Sequence, residues 1–269
     1  MEADKPVNED GRQYHLQTSP GDLAAHCLLV GSPERAEMIA RTMFRLSRKV
    51  GDHRGLKSFT GIFAEMPVSV VTTGMGSAST AIVLPEAVRS GARRFIRVGS
   101  CGTLWKEPKL GESVICTGAV RLDGASENWA PIQYPAVADY RVVAALVATA
   151  EELNLPHYVG IGATTTCFNE GQARPGQVRP DDRGYVPPRL QALHEEFVAR
   201  GVLFYSMEEA TLFVWCATHG GYWAGAVDAI YAQRQTNEFA AVGDEDAARI
   251  ALLALLLLSR KYPLSVKEK

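Results

Sequence analysis

Short runs of aliphatic and β-branched residues alternate with longer helical patterns along almost the whole chain, and several of the runs end on glycine. "CLLVG" reads as a strand. The stretch "SPERAEMIARTMFRL" then reads as a helix, with Ser32 placed to cap it and Pro33 at its first helical position. "PVSVVTTGMG" is a strand pattern ending in glycines, and "STAIVLPEAVRSGA" a helical one that Pro85 can bend. "RRFIRVGSCG" and "ESVICTGAV" read as strands, "VVAALVATAEELN" as a helix and "HYVGIGATTT" as a strand. "RLQALHEEFVARG" follows as a helix that Gly201 stops, then the short strand "VLFYSM", the helix "EEATLFVWCATHGG", the strand "WAGAVDAIYA" and a last helix. Alternation of this kind predicts an α/β fold, a sheet with helices on both faces.

A chain of 269 residues can bury one large core or two smaller ones. It has no internal repeat and no linker of domain-separating length, so the expectation is one domain over 1–269. The polar residues 1–12 read as a flexible tail. The segment around "RPGQVRPDDRGYVPPR" is rich in proline, glycine and charge, and 175–189 reads as a mobile loop that could serve as a lid.

Composition removes several function classes. The net charge of −2 argues against nucleic acid as a partner, because a phosphate backbone calls for a concentrated positive surface. Five scattered cysteines with no C-x-x-C pair argue against a disulfide framework or a zinc site and fit a reducing cytoplasm. No membrane partner is expected either. The N-terminus lacks a signal-peptide core, and the greasy run "IALLALLLLS" falls short of the about 20 residues a membrane span needs. Its acidic start and basic end match the helix dipole, as expected of a buried C-terminal helix.

In open α/β sheets ligands collect at the carboxyl ends of strands. Three strand ends here, "VGSPER", "TTGMGSAST" and "RVGSCGT", present glycines and small hydroxyls where backbone N–H groups can be bared to an anion. Arg35 falls in the first turn of its helix. Arg97 is a charge inside an apolar strand, so it needs a carboxylate partner or a bound anion. None of the three is a Walker P-loop or a dinucleotide fingerprint, and together they suggest a small oxyanion such as phosphate. The loop "FNEGQARPG" holds out Gln172, which donates and accepts, beside Arg174, which only donates.

In order along the chain come "YHL", "GSPERAEMIA", "SFTG", "TTGMGSAST", "RVGSCGT", "AVRLDGAS", "FNEGQAR", "MEEATL" and "AQRQTNE". In this series the chain resembles the nucleoside phosphorylases, the family that holds uridine phosphorylases and bacterial-type purine nucleoside phosphorylases. The resemblance runs from about residue 13 to residue 260. It implies a mixed, partly barrel-like sheet flanked by helices, and phosphorolysis of a nucleoside with inorganic phosphate as co-substrate and no cofactor. By motif match it implies phosphate contacts from Gly31, Arg35, Arg97 and Ser100, with Arg54 reaching in from a neighbouring subunit. It implies ribose contacts from Met207 and Glu208, and from His15 of the neighbour. Cys101 and Gly102 fall where the base pocket is lined, and Phe168 where a ring packs on the nucleoside. Because His15 and Arg54 would complete a neighbour's site, a homodimer is the least assembly implied, and whether dimers assemble into a hexamer is left open.

Uracil shows an N–H between two carbonyls, and a glutamine amide beside a guanidinium is complementary to that edge. Gln172 and Arg174 match the uracil readers of the uridine branch, which implies pyrimidine salvage. The catalytic work would then fall to Arg97, Glu208 and Arg174, with no metal. Two departures stand against a simple match. Cys101 replaces the usual threonine of uridine enzymes, and Ser206 replaces a glutamate that usually precedes the Met-Glu pair. The position of the purine branch's acidic residue is Ala232, and Asp228 lies four residues earlier, inside a strand. The rival readings are a purine nucleoside phosphorylase, a nucleosidase that uses water, and a non-catalytic nucleoside-binding protein on the same scaffold.

Overall fold

The computed structural model describes residues 3–4, 6–179, 181 and 183–264. Met1, Glu2 and Lys5 of the expected tail, and Pro180 and Asp182 of the expected loop, lie outside the described residues. Chain order is β1 (His26–Val30), α1 (Pro33–Thr42), β2 (Arg45–His53), β3 (Leu56–Phe63), β4 (Met66–Thr72), α2 (Ser77–Arg89), β5 (Arg94–Thr103) and β6 (Ser113–Leu122). There follow β7 (Ala136–Val137), α3 (Tyr140–Glu152), β8 (His157–Thr165), α4 (Pro188–Ala199), β9 (Phe204–Ser206), α5 (Glu209–Thr218), β10 (Trp223–Gln233), β11 (Glu238–Phe239) and α6 (Asp244–Lys261).

All strands belong to one mixed sheet. β10, β6, β8, β9 and β5 pair in that order, and β5 pairs back to β10, which closes them into a small barrel. From β5 the sheet runs on as an open wing through β1, β4, β3 and β2. This is the single α/β domain with a partly closed sheet that the motif series implies.

Side chains alternate across the two strands that form the seam of the barrel. Ile96 and Val98 of β5, with Val227 and Ala229 of β10, pack into a core with α1, α3 and α6. Phe95 and Cys101 of β5, with Ala224, Ala226 and Ile230 of β10, belong to a second core with α2 and α5. The same alternation puts Arg97 and Asp228 on the α5 side, so two opposite charges in apolar strands share one buried face. Removing Phe95, which is wholly buried, to alanine would cost about 3–5 kcal/mol.

The helix after β1 is capped as the sequence implies: the Ser32 side chain accepts from the Arg35 backbone N–H at 3.3 Å, and Pro33 opens the helix. It ends earlier than expected, however. The sequence pattern predicts a helix to Leu46, whereas α1 stops at Thr42 and Arg45 already begins β2. The β2–β3 hairpin has no alternating pattern to announce it, because the first five residues of β2 are all exposed. Its turn is carried by Arg54 (φ +52°) and Gly55 (φ +79°), the two left-handed residues that a tight hairpin demands. No helix among the described residues is long and apolar enough to cross a membrane.

Candidate active site

The carboxyl ends of β1, β5, β8, β9 and β10 open into one cavity of about 1060 Å³. It brings together Gly31, Arg35, Arg97 and Ser100 on one side, and Cys101, Gly102, Phe168, Gln172 and Arg174 on the other. Met207 and Glu208 also line it. Eleven of the thirteen residues singled out from sequence thus meet in one place.

Arg35 is held from three directions. Nη1 donates to the Val98 carbonyl at 3.2 Å, Nη2 to the Tyr231 hydroxyl at 2.9 Å, and Nε lies 3.0 Å from Asp244 Oδ2. Tyr231 in turn donates to Asp244 Oδ1 at 2.6 Å. Burial works against the charge, yet Asp244 and Tyr231 outweigh it and raise the Arg35 pKa above the ordinary value. Arg97 found carboxylate partners: Nη2 donates to Glu208 and Nη1 to Asp228, with Glu209 Oε1 2.9 Å from Nη1. The guanidinium can lie there because β5 has glycine next but one. A Cβ on Gly99 would overlap Arg97 Nη1 and Asp228 Oδ1.

Glu208 connects the strand ends. One oxygen accepts a hydrogen bond from Arg97 Nη2, and the other accepts the backbone N–H of Gly76, the residue that caps α2, at 2.6 Å. The Ser77 hydroxyl donates to the Met207 carbonyl at 2.7 Å, which fixes the Met207–Glu208 turn against α2.

At the far end, Arg174 lies over the Phe168 ring with its guanidinium carbon 4.1 Å from the centroid. Its Nη1 donates to the Phe168 carbonyl at 3.1 Å and to Gln172 Oε1. Since arginine only donates, this contact settles which end of the Gln172 amide is oxygen. Gln172 Nε2 donates to the Thr165 hydroxyl at 3.1 Å. The amide thereby keeps one N–H and one lone pair to offer a ligand. Gly102 lies beside the pair, where a Cβ would come within 3.2 Å of Arg174 Nη2. Burial, with Arg234 adding, pushes Arg174 down to about 10, and the guanidinium still remains charged at neutral pH.

His15 and Arg54 do not line this cavity. His15 Nδ1 meets Glu86 at 2.8 Å, Tyr14 packs edge-on against both His15 and His53, and Arg54 follows His53, exposed at the hairpin turn. Tyr14 thus links His15 to the hairpin that carries Arg54, and neither residue lines the cavity of its own chain.

Several residues with no role evident in the sequence shape the cavity. Asp244 and Tyr231 anchor Arg35. Arg234 donates to the carbonyls of Gln172 (2.8 Å) and Ala173 (3.2 Å), holding the base-side loop from below. Glu209 and Asp228 back Arg97. A signal existed for Asp228: it is the one charge in "WAGAVDAIYA", as Arg97 is in "FIRVG".

Buried arginines facing an open cavity at one end, and an oriented amide with a guanidinium at the other, define a binding site for an oxyanion and a flat polar ring. The comparisons agree with that class: residues 25–259 match the phosphorylase superfamily, and the chain belongs to that family. It is 39% identical over 259 residues to the uridine phosphorylase of Thermococcus kodakarensis, covering 96% of this chain and 91% of that one. It is 37% identical over 228 residues to the uridine phosphorylase of Klebsiella aerogenes, covering 84% and 87%. With the guanosine phosphorylase of Halorubrum lacusprofundi the identity is 29% over 216 residues, covering 80% and 81%.

Proposed function

We propose that the protein is a uridine phosphorylase, cleaving uridine reversibly with inorganic phosphate to give uracil and ribose 1-phosphate. The observation that carries this reading is the Gln172–Arg174 pair, set into the wall of the same cavity that holds Arg35 and Arg97. Gln172 Oε1 can accept the ring N–H of uracil while its free amide N–H donates to one carbonyl, and Arg174 donates to the other. Phosphate bound by Arg35, Arg97, Gly31 and Ser100 attacks the anomeric carbon as the bond to the base breaks. The phosphate proton ends on the departing base. Glu208 orients the ribose hydroxyls, with Met207 and Phe168 packing on the nucleoside.

Negative charge grows on the uracil carbonyls as it leaves, and donors aimed at such charge contribute about 3–4 kcal/mol each. Arginines supply this stabilisation, so the reaction needs no metal and no cofactor. The purine alternative needs an acid beside the base. Ala232 stands in the cavity wall at that position, and Asp228 is fully buried behind Arg97. His15 and Arg54 complete the site of a neighbouring chain, which makes a dimer the smallest active unit. The reaction belongs to pyrimidine salvage in the cytoplasm, where the five free thiols stay reduced.

The test is a spectrophotometric assay of uridine, thymidine and inosine, each with and without phosphate. Uridine cleaved only with phosphate, and faster than inosine, is the expected result. Faster release of hypoxanthine from inosine, or cleavage without phosphate, overturns it.

A further inference from the structure

Behind the cavity wall three carboxylates surround a single guanidinium. Arg97 is in contact with Glu208, Glu209 and Asp228, and the last two are wholly buried. With every carboxyl ionised, the cluster would carry two uncompensated negative charges in a dry place, which is prohibitively unfavourable.

The hydrogen-bond pattern locates the missing proton. Asp228 Oδ2 and Glu209 Oε1 are both buried and neither accepts a well-directed hydrogen bond, although Glu209 Oε1 lies 2.9 Å from Arg97 Nη1. The other Glu209 oxygen takes the Ser206 hydroxyl and, at 3.3 Å, the Glu208 backbone N–H. The Asp228 and Glu209 carboxyls meet at one nitrogen, Asp228 Oδ1 and Glu209 Oε1 both contacting Arg97 Nη1, which sets the two carboxyls side by side. Two carboxylates are acceptors only, so that contact becomes a bond only when one of them carries hydrogen.

We propose that Asp228 and Glu209 hold one proton between them, and that an oxyanion arriving at Arg97 draws a second proton from solvent onto the pair. The proposal rests on reading Arg97 as part of the phosphate site. In the empty protein the Arg97 charge is shared among its three carboxylates. A bound dianion competes for that charge and repels the pair directly. Both effects raise the pair's affinity for a proton, and its uptake offsets part of the incoming negative charge. Asp228 and Glu209 are therefore positioning residues, which act on the anion through Arg97.

The surrounding groups leave the pair as the place that titrates. β5 contributes Arg97 and Cys101, β6 contributes Cys116, β9 the Ser206 hydroxyl, and the turn before α5 contributes Glu208. Burial drives the Cys101 and Cys116 thiols well above their ordinary range, so they stay neutral. Burial also drives Asp228 well above the usual carboxylate range; Arg97 opposes this, and Glu209 and Glu208 add to it. The α6 side of the seam is apolar, with Val98, Val227 and Ala229 against Ala247, Ile250 and Ala251.

Inorganic sulfate is the probe, because it stays a dianion where phosphate titrates. Its binding is measured by calorimetry in buffers of different ionisation enthalpy, and its occupancy of the site by competition with phosphate in the uridine assay. The expected result is uptake of about 0.5–1 proton per sulfate by the native protein, with affinity falling as pH rises. Asp228→Asn or Glu209→Gln alone lowers the uptake, and the double variant abolishes it; either single variant serves if the other does not fold. Sulfate that competes with phosphate but binds without proton uptake overturns the proposal alone, as does uptake that persists in the double variant. Sulfate that neither binds nor competes overturns the phosphate-site reading beneath it.

Discussion

Gly99 and Asp228 are partners across the β5–β10 ladder, and the space that a side chain at Gly99 would fill is occupied by the Arg97 guanidinium. Gly99→Ala must therefore push Arg97 away from Asp228, and with it the Nη2 contact to Glu208. The backbone here is an ordinary strand that alanine can adopt, so the damage falls on the side-chain cluster. The expected outcome is a loss of at least about a hundredfold in kcat/KM for phosphate, with the circular dichroism of the native fold retained. Steady-state rates at varied phosphate check this, and an unchanged KM for phosphate contradicts the placement of Arg97.

Arg174 fixes the Gln172 amide with its oxygen toward a ligand N–H, which matches the ring of uracil and mismatches the bare ring nitrogen of cytosine. Cytidine would set acceptor against acceptor at a buried contact, and such mismatches reach about 10⁴-fold in discrimination. Gln172→Glu keeps an acceptor for Arg174 and loses the N–H donor. It should lower kcat/KM for uridine by about a hundredfold. Comparable turnover of cytidine and uridine by the native protein would remove the role given to Gln172.

How much of this was legible beforehand depended on whether the signal was local. The strand–glycine–helix turns at Gly31 and Gly76 were legible because caps, prolines and glycines act within a few residues. The loop that carries Gln172 and Arg174 was legible as a loop because glycine and proline punctuate it, whereas its reading as a base contact came from the motif series and not from the two residues alone. The β2–β3 hairpin was not, since its exposed first strand carries no period and only its left-handed turn betrays it. The Arg97 cluster was half legible. A charge in each of two apolar strands announces a buried pair, but their meeting depends on the β5–β10 register, which is set by the closure of the barrel. Glu209 gave no sign at all, because an acidic residue after Glu208 looks like an ordinary first-turn helix charge.

Asp228 also makes stability depend on pH. Its folded pKa is raised above the unfolded value, chiefly by burial, so the folded chain binds that proton more tightly than the unfolded one. The contribution is fully present below the unfolded pKa and is lost as pH rises through the raised folded value. Asp228→Asn has no proton to lose. As pH rises above the ordinary carboxylate range, the melting temperature of the native protein should therefore fall relative to that of the variant. A melting series across pH checks this, and parallel curves would show that Asp228 is ionised throughout.

His15 and Arg54 do not line the cavity of their own chain, while Arg35 and Arg97 do. If the first pair serves a neighbour, the two kinds of defect belong to different chains of one site. Arg54→Ala and Arg97→Met should each be nearly inactive. Dissociated, mixed and reassociated, they form mixed dimers in which one site collects both defects and the other has none. Random pairing makes about half the dimers mixed, so activity should return to about a quarter of the native value. Were Arg54 to serve its own chain, every site in the mixture would still carry one defect, and mixing would restore nothing. The same experiment with His15→Ala in place of Arg54→Ala separates the ribose contact from the phosphate contact, because only the arginine variant should raise the KM for phosphate.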